Sequence, residues 1–299
     1  MTVALGIREA AEVLASVSDT PRLDAELLVA EVLGITRTRM LLHAMRDPVP
    51  AGIAALVVRR LKHEPVAYIL GHQDFYGLDL IVTPAVLIPR GDSETLIEAA
   101  RTSLSDQPPA RILDLGTGSG ALLLAALSLW PKAHGVGIDC SLGAVAVAAA
   151  NAGRLGLAQR ARILHEDWSR PGWADAIDRF ELILANPPYV EDAAALAPQV
   201  RRHEPAGALF AGAEGLDAYR VLFPQLGALL APGGLAIVEI GASQAAAVTA
   251  LAGQAGFATD LHRDLADRPR ALVLQNGALK KPLGNAGDPH YPAGKLAGG

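Results

Sequence analysis

Cysteine is almost missing from this chain: Cys140 is the only one in 299 residues. One thiol excludes an internal disulfide framework and a thiolate zinc cluster, and it fits a reducing compartment, so a cytoplasmic location and no metal are expected. Aromatic residues are scarce, at 4% against 51% hydrophobic residues, many of them alanine. That is a globular composition, with helices where alanine clusters. Basic residues are not in excess. The formal charge is -5 and the pI is near 5.9, which argues against naked nucleic acid as the main partner and leaves a protein partner open. No run of about 18 apolar residues free of charges and breakers occurs, so no membrane span is expected. No basic segment followed by a long apolar core opens the chain, so no signal peptide is expected. The length allows a large core and about two domains.

What is present is best read from Asn186-Pro187-Pro188-Tyr189, at the end of the apolar run Phe180 to Ala185. The run is short and bounded by prolines, as a buried strand is. A strand cannot continue through two prolines, since each lacks an N–H and has a fixed φ. The chain must turn at the strand's carboxyl end, where open α/β sheets hold ligands. There it offers one polar side chain, free carbonyls and an aromatic face. That set suits a planar group with N–H donors, such as an amide or an exocyclic amine. A proline-rich loop with Asn186 capping a turn is the plain alternative.

Residues 1–72 read as a small helical domain. Helices are expected over Ile7 to Ser16, over Leu23 to Leu33 with Thr20-Pro21 at its start and Gly34 at its end, and over about Ala51 to Lys62. No catalytic spacing occurs there, and His43 and His63 stand alone, so this domain is a candidate for recognising a partner. Residues 73–90 read as a β-hairpin linker turning near Gly77. The stretch Gly91-Asp92-Ser93-Glu94 enters a helix near Thr95. Asp92 or Ser93 either caps that helix or shapes a cofactor pocket.

From Arg111 strands and helices alternate, which signals an α/β domain with a mostly parallel sheet over residues 91–277. The first strand, Arg111 to Leu115, contains Asp114 and runs into Gly116-Thr117-Gly118-Ser119-Gly120. Alternate glycines let the backbone turn tightly and approach a ligand. Such a loop alone could serve NAD, FAD or S-adenosylmethionine. Asp114 sharpens it, because a carboxylate there suits the amino-acid end of S-adenosylmethionine; a turn role is the alternative. Asp139 ends the second strand, about 20 residues on, where an acid can accept both ribose hydroxyls. After the third strand, Ala161 to His165, Asp167 could bond an adenine amine and Trp168 pack on its ring, with core packing as the rival for Trp168. Cys140 reads as a packed small residue. Residues 278–299, rich in Gly, Pro and Lys, read as a disordered tail.

Asp114 to Gly120, Asp139, Asp167-Trp168 and Asn186 to Tyr189 together resemble class I S-adenosylmethionine-dependent methyltransferases. With Arg22 to Leu28, Pro65 to Gly71, Leu87-Ile88-Pro89-Arg90, Arg202-His203-Glu204-Pro205 and Asp264 to Arg270, nearly the whole chain except the tail resembles the peptide chain release factor N5-glutamine methyltransferases. The resemblance implies a Rossmann-like domain and S-adenosyl-L-methionine as cofactor. It also implies methyl transfer to the glutamine of a Gly-Gly-Gln loop in class I release factors, by a monomer. Asn186 and Pro187 would then accept the two amide N–H bonds, Pro188 would hold the loop, and Tyr189 would pack on the substrate. Asn186 would also face the cofactor's methyl. Two departures stand out: Gly91 where the family has proline, and His203 where it has an aromatic residue. Rival readings are glutamine methylation of a large-subunit ribosomal protein, adenine N6 methylation of DNA, and cofactor binding without activity.

Overall fold

The computed structural model of the protein describes residues 1–175 and 177–277. The expected tail over 278–299 lies outside them.

The chain begins with five helices: α1 (Val3–Leu14), α2 (Pro21–Leu33), α3 (Arg37–His43), α4 (Ile53–Leu61) and α5 (Val66–Leu70). Their apolar faces enclose a core that includes Val3, Ile7, Leu14, Leu28, Val29 and Met40. Pro21 occupies the first turn of α2, and Gly34 ends it at φ 64°, the left-handed conformation that glycine takes without penalty. Two acids of α2, Asp24 and Glu26, are buried. Each has arginine partners: Arg60 Nε donates to Asp24 at 2.7 Å, and Arg22 and Arg37 bracket Glu26 at 2.9 and 2.7 Å. α3 is too short for periodicity in the sequence to betray it.

A hairpin follows, β1 (His72–Phe75) and β2 (Leu78–Ile81), paired antiparallel. Tyr76 and Gly77 both take positive φ, 50° and 75°, the two-residue turn whose twist matches the strands. Tyr76 is held there by Glu94, whose Oε1 accepts its N–H at 2.9 Å.

The larger unit comprises α6 (Glu94–Ser103), β3 (Arg111–Leu115), α7 (Ala121–Leu129), β4 (His134–Asp139), α8 (Leu142–Arg154), β5 (Ala161–His165), β6 (Phe180–Ala185), α9 (Pro198–His203), α10 (Asp217–Leu229), β7 (Leu230–Glu239), α11 (Ala245–Gln254), β8 (Phe257–Arg263) and β9 (Pro269–Asn276). Its seven strands lie in the order β5-β4-β3-β6-β7-β9-β8. The first five are parallel, and β9 pairs antiparallel with both β7 and β8. β4 and β5 extend one way from β3, and β6 and β7 the other way. The direction of winding therefore changes between β3 and β6. The loops leaving those two strands diverge and open a crevice. β7 starts at Leu230, and Pro232 to Gly234 sit inside it as an irregularity opposite Phe180 and Leu182, with Gly233 at φ 78°.

The helical unit is tied to the segment after β6. Arg60 also donates to Gln199 Oε1 on α9 at 2.8 Å, and Glu204 pairs with Arg90 while accepting the Ile88 N–H. Arg60 is buried together with Asp24. Removing the guanidinium leaves a buried carboxylate unpaired, which costs about 3–5 kcal/mol. Arg60→Ala should lower the stability measured by urea unfolding by that amount. A loss below about 1 kcal/mol, the range of an exposed pair, would contradict a buried link.

Candidate active site

The glycine loop begins where β3 ends. The Gly116 and Thr117 N–H groups both donate to the Ile138 carbonyl, at 2.9 and 2.8 Å, so the loop folds back over the end of β4. Gly116, Gly118 and Gly120 have φ of 76°, 55° and 84°. Any side chain would be strained at these three positions. A Cβ on Gly116 would also lie 2.9 Å from the Trp168 ring, so Trp168 covers the loop and packs against the core on that face.

Asp114 forms the floor of the cradle and is buried. Its Oδ2 accepts from the Thr117 hydroxyl at 2.7 Å and from the Leu123 N–H at 3.3 Å, in the first turn of α7. Its Oδ1 has no partner among the described residues. Burial pushes the carboxyl up to about 7, against the Thr117 and Leu123 hydrogen bonds, and the nearby Asp139 adds to the rise. An unpartnered buried carboxylate oxygen is an acceptor waiting for a cationic or N–H donor. Asp139 receives the Gly118 N–H on Oδ2 and the Ser141 N–H on Oδ1, both at 2.9 Å. A carboxylate has room for about four hydrogen bonds, so each oxygen can still take a hydroxyl.

Asp167 turns its Oδ1 to the Ser169 N–H and hydroxyl, and these hydrogen bonds hold its carboxyl below the usual range. Cys140 is exposed rather than packed. Partial burial and the charges of Asp139 and Asp167 raise its thiol, which makes it a poor nucleophile.

Across the crevice, β6 delivers Asn186 to Tyr189. The carbonyls of Asn186, Pro187 and Pro188 accept no hydrogen bond among the described residues. Pro187 is buried, while Asn186 stays partly open. Asn186 Nδ2 donates to Ser93 Oγ at 3.4 Å. Tyr189 is anchored at both ends: Gln244 donates to its carbonyl at 3.0 Å, and its own hydroxyl donates to Glu239 Oε1 at 3.0 Å. The tyrosine hydroxyl thus points back into the fold.

Neither Asp92 nor Ser93 makes a side-chain cap on α6. Ser93 meets Asn186, and Asp92 Oδ2 accepts from Arg268 and Arg270, at 2.9 and 3.0 Å. Three further positions escaped the sequence reading. Asn151 is buried on α8; it donates to the carbonyls of Ser119 and Ile81 and accepts the Ile81 N–H, tying the glycine loop to the hairpin. Glu239 and Arg270 are buried behind Tyr189. A charge inside the apolar run Leu235 to Ile240 was the available signal for Glu239.

Residues 7–71 match the family described as PrmC N-terminal domain, and residues 93–203 match the Methyltransferase small domain. A release factor glutamine methyltransferase of Rhodospirillum rubrum is 44% identical over 266 residues, covering 87% of this chain and 80% of that protein. The protein of the same name from Caulobacter vibrioides is 40% identical, covering 88% of this chain and 92% of its own length. The chain belongs to the release factor glutamine methyltransferase family. In this family member the turn that carries Gly91 has no proline to stiffen it. The Asp92 contacts to Arg268 and Arg270 fix it instead.

The raised Asp114 carboxyl has a measurable consequence. Its unfolded value is about 3.9 and its folded value about 7. Between the two the folded state holds the extra proton, so this group lowers stability as pH rises from about 4 to about 7. Asp114→Asn removes that penalty. Its stability relative to the parent protein should rise across this window by up to roughly 4 kcal/mol and stay level above it. A difference that does not vary with pH in urea unfolding would contradict a buried, protonatable Asp114.

Proposed function

We propose that this protein transfers a methyl group from S-adenosyl-L-methionine to the side-chain amide nitrogen of the glutamine in the Gly-Gly-Gln loop of class I peptide chain release factors. The observation that carries the reading is the set of acceptors after β6 without partners among the described residues, the Pro187 carbonyl and Asn186 Oδ1, at the place where the direction of winding changes beside the strand that leads into the glycine loop. The cradle suits the cofactor. The orphaned Asp114 Oδ1 fits an ammonium group, Asp139 has capacity for two ribose hydroxyls, and the positive-φ glycines give a ligand close access. Asp167 and Trp168 are the candidates to hold the adenine. When bound, S-adenosyl-L-methionine supplies a methyl group on a sulfonium leaving group.

The chain's own task is orientation. An amide nitrogen is a poor nucleophile because its lone pair is delocalised into the carbonyl. Asn186 Oδ1 and the Pro187 carbonyl would accept its two N–H bonds and aim that lone pair. The same two oxygens would stabilise positive charge growing on the nitrogen in the transition state. No side chain need act as a strong base, since a protonated, alkylated amide gives its proton to water. Pro188 stiffens the loop, and Tyr189, with its hydroxyl tied inward, offers the substrate its ring. The helical unit at 1–72 would dock on the release factor and leave the glutamine loop free to enter the crevice. The reading entails a protein substrate, no nucleic-acid partner, a monomer and a cytoplasmic setting. The formal charge of -5 favours a protein over a nucleic-acid substrate. No helix among the described residues is long and apolar enough to cross a membrane.

Mass spectrometry of a release factor incubated with the protein and S-adenosyl-L-methionine should find one added methyl group, on that glutamine. Asn186→Ala should cut turnover by about 10²–10³-fold, the cost of losing one such polar contact, while cofactor affinity measured by calorimetry changes little. Unchanged turnover would refute the assignment.

A further inference from the structure

Helix α8 turns one face toward the hairpin and the chain on either side of it. Ala144, Val147, Asn151 and Arg154 follow at helical spacing and share that face. Ala144 and Val147 pack with Tyr68, Val82 and Val86. Arg154 pairs with Asp79 on β2. Between them Asn151 is 0% exposed, and a buried amide is costly unless its hydrogen bonds are made.

The hydrogen bonds of Asn151 all go to backbone groups. Oδ1 accepts the Ile81 N–H at 2.7 Å, and Nδ2 donates to the Ile81 carbonyl at 3.0 Å and to the Ser119 carbonyl at 2.8 Å. The amide stands in for one rung of a third strand on the outer edge of β2 and spends its second N–H on the glycine loop. That loop is held in two halves. In the first half, Ile138 takes the Gly116 and Thr117 N–H groups, and Asp139 takes that of Gly118. After Gly118, Asn151 is the one side chain among the described residues that bonds the loop's backbone. A peptide unit is planar. A fixed Ser119 carbonyl therefore also fixes the plane of the Gly120 N–H, which donates to the Thr117 carbonyl at 2.7 Å.

We infer that Asn151 is a positioning residue for the cofactor: by pinning the Ser119–Gly120 peptide to strand β2, it sets the second half of the cradle before S-adenosyl-L-methionine arrives. This rests on the cradle being the cofactor's seat and is independent of the role proposed for Asn186. Asn151 has no exposed surface for a ligand to touch, so it acts through the Ser119 peptide. A loop ordered in advance loses less freedom on binding. Without the asparagine the Ser119 carbonyl is released, and the ligand must order this half of the loop itself.

The test compares Asn151→Ala, Arg154→Ala and Asn186→Ala in the full-length protein. Asn151→Ala should weaken S-adenosylhomocysteine binding, measured by calorimetry, by about 10-fold and raise KM for S-adenosyl-L-methionine as much. Its kcat at saturating S-adenosyl-L-methionine, and its KM for the release factor, should stay within about three-fold, because the interaction lost serves ground-state binding of the cofactor. A merely structural asparagine would lower the melting temperature without this split. Arg154→Ala breaks the other polar link between α8 and β2 and leaves the glycine loop alone, so cofactor affinity should stay within about two-fold, as for the loss of an exposed pair. Parent-like affinity in a folded Asn151→Ala protein would overturn the inference. An equal loss in Arg154→Ala would also overturn it, by placing the effect in a loosened hairpin. Asn186→Ala should show the reverse split, with turnover lost and affinity kept; undiminished turnover there would overturn the proposed function and leave the role of Asn151 standing. Where Asn151→Ala does not fold, amide exchange followed by NMR in the unmodified protein decides. S-adenosylhomocysteine should slow exchange at Ile81 together with the loop, and a protected loop with Ile81 unchanged would overturn the link.

Discussion

Two consecutive prolines stop β6 from extending, and the site follows from that constraint. Pro187 and Pro188 have no N–H to give a neighbouring strand, so pairing ends at Ala185. The three carbonyls after it are left without partners among the described residues. Such groups are costly in a closed interior. They are tolerable here because β6 lies beside β3 where the direction of winding changes and the sheet opens. The topology makes a gap, and the prolines line one wall of it with acceptors. The glycine loop after β3 lines the other.

The polar residues around the gap divide into two groups. Toward the glycine loop, Asp114 and Asp139 spend some of their capacity on the backbone: Leu123 and Gly118 donate to them, which fixes the loop before any ligand arrives. Preorganisation of this kind reduces what binding must order. Behind Asn186 and Tyr189, buried Glu239 and Arg270 join Asp92, Arg268 and Asp264 in a cluster of opposite charges. It joins the turn at Gly91 to the β8–β9 connection, two segments far apart in sequence. Buried ion pairs contribute little net stability, yet breaking one is expensive. Such a cluster resists displacement of the turn and suits a place where the direction of one amide matters.

Much of the architecture was legible because strands of an α/β sheet are short apolar runs closed by glycine, proline or acid. β3, β5 and β6 lie where the sequence placed them, at Arg111–Leu115, Ala161–His165 and Phe180–Ala185. Helix ends were less legible: α1 runs from Val3 to Leu14 rather than from Ile7 to Ser16, because Thr2 caps it. The loops that face one another across the gap could be named from glycines, prolines and acids alone. Their support could not. Asn151, Glu239 and Arg270 work through partners 32 to 178 positions away, and no local pattern encodes such a pairing. Cys140 went the other way: a small residue beside an acid reads as packed, and the end of β4 leaves it exposed.

The most direct measurement is a crystal structure of the protein with S-adenosylhomocysteine and a peptide containing Gly-Gly-Gln. The glutamine nitrogen should lie within hydrogen-bond distance of both Asn186 Oδ1 and the Pro187 carbonyl, with the sulfur in the crevice beside the cradle of Gly116 to Gly120. A glutamine amide bound away from both oxygens, or an Asn186 that turns its NH₂ group to the substrate, would contradict the central claim.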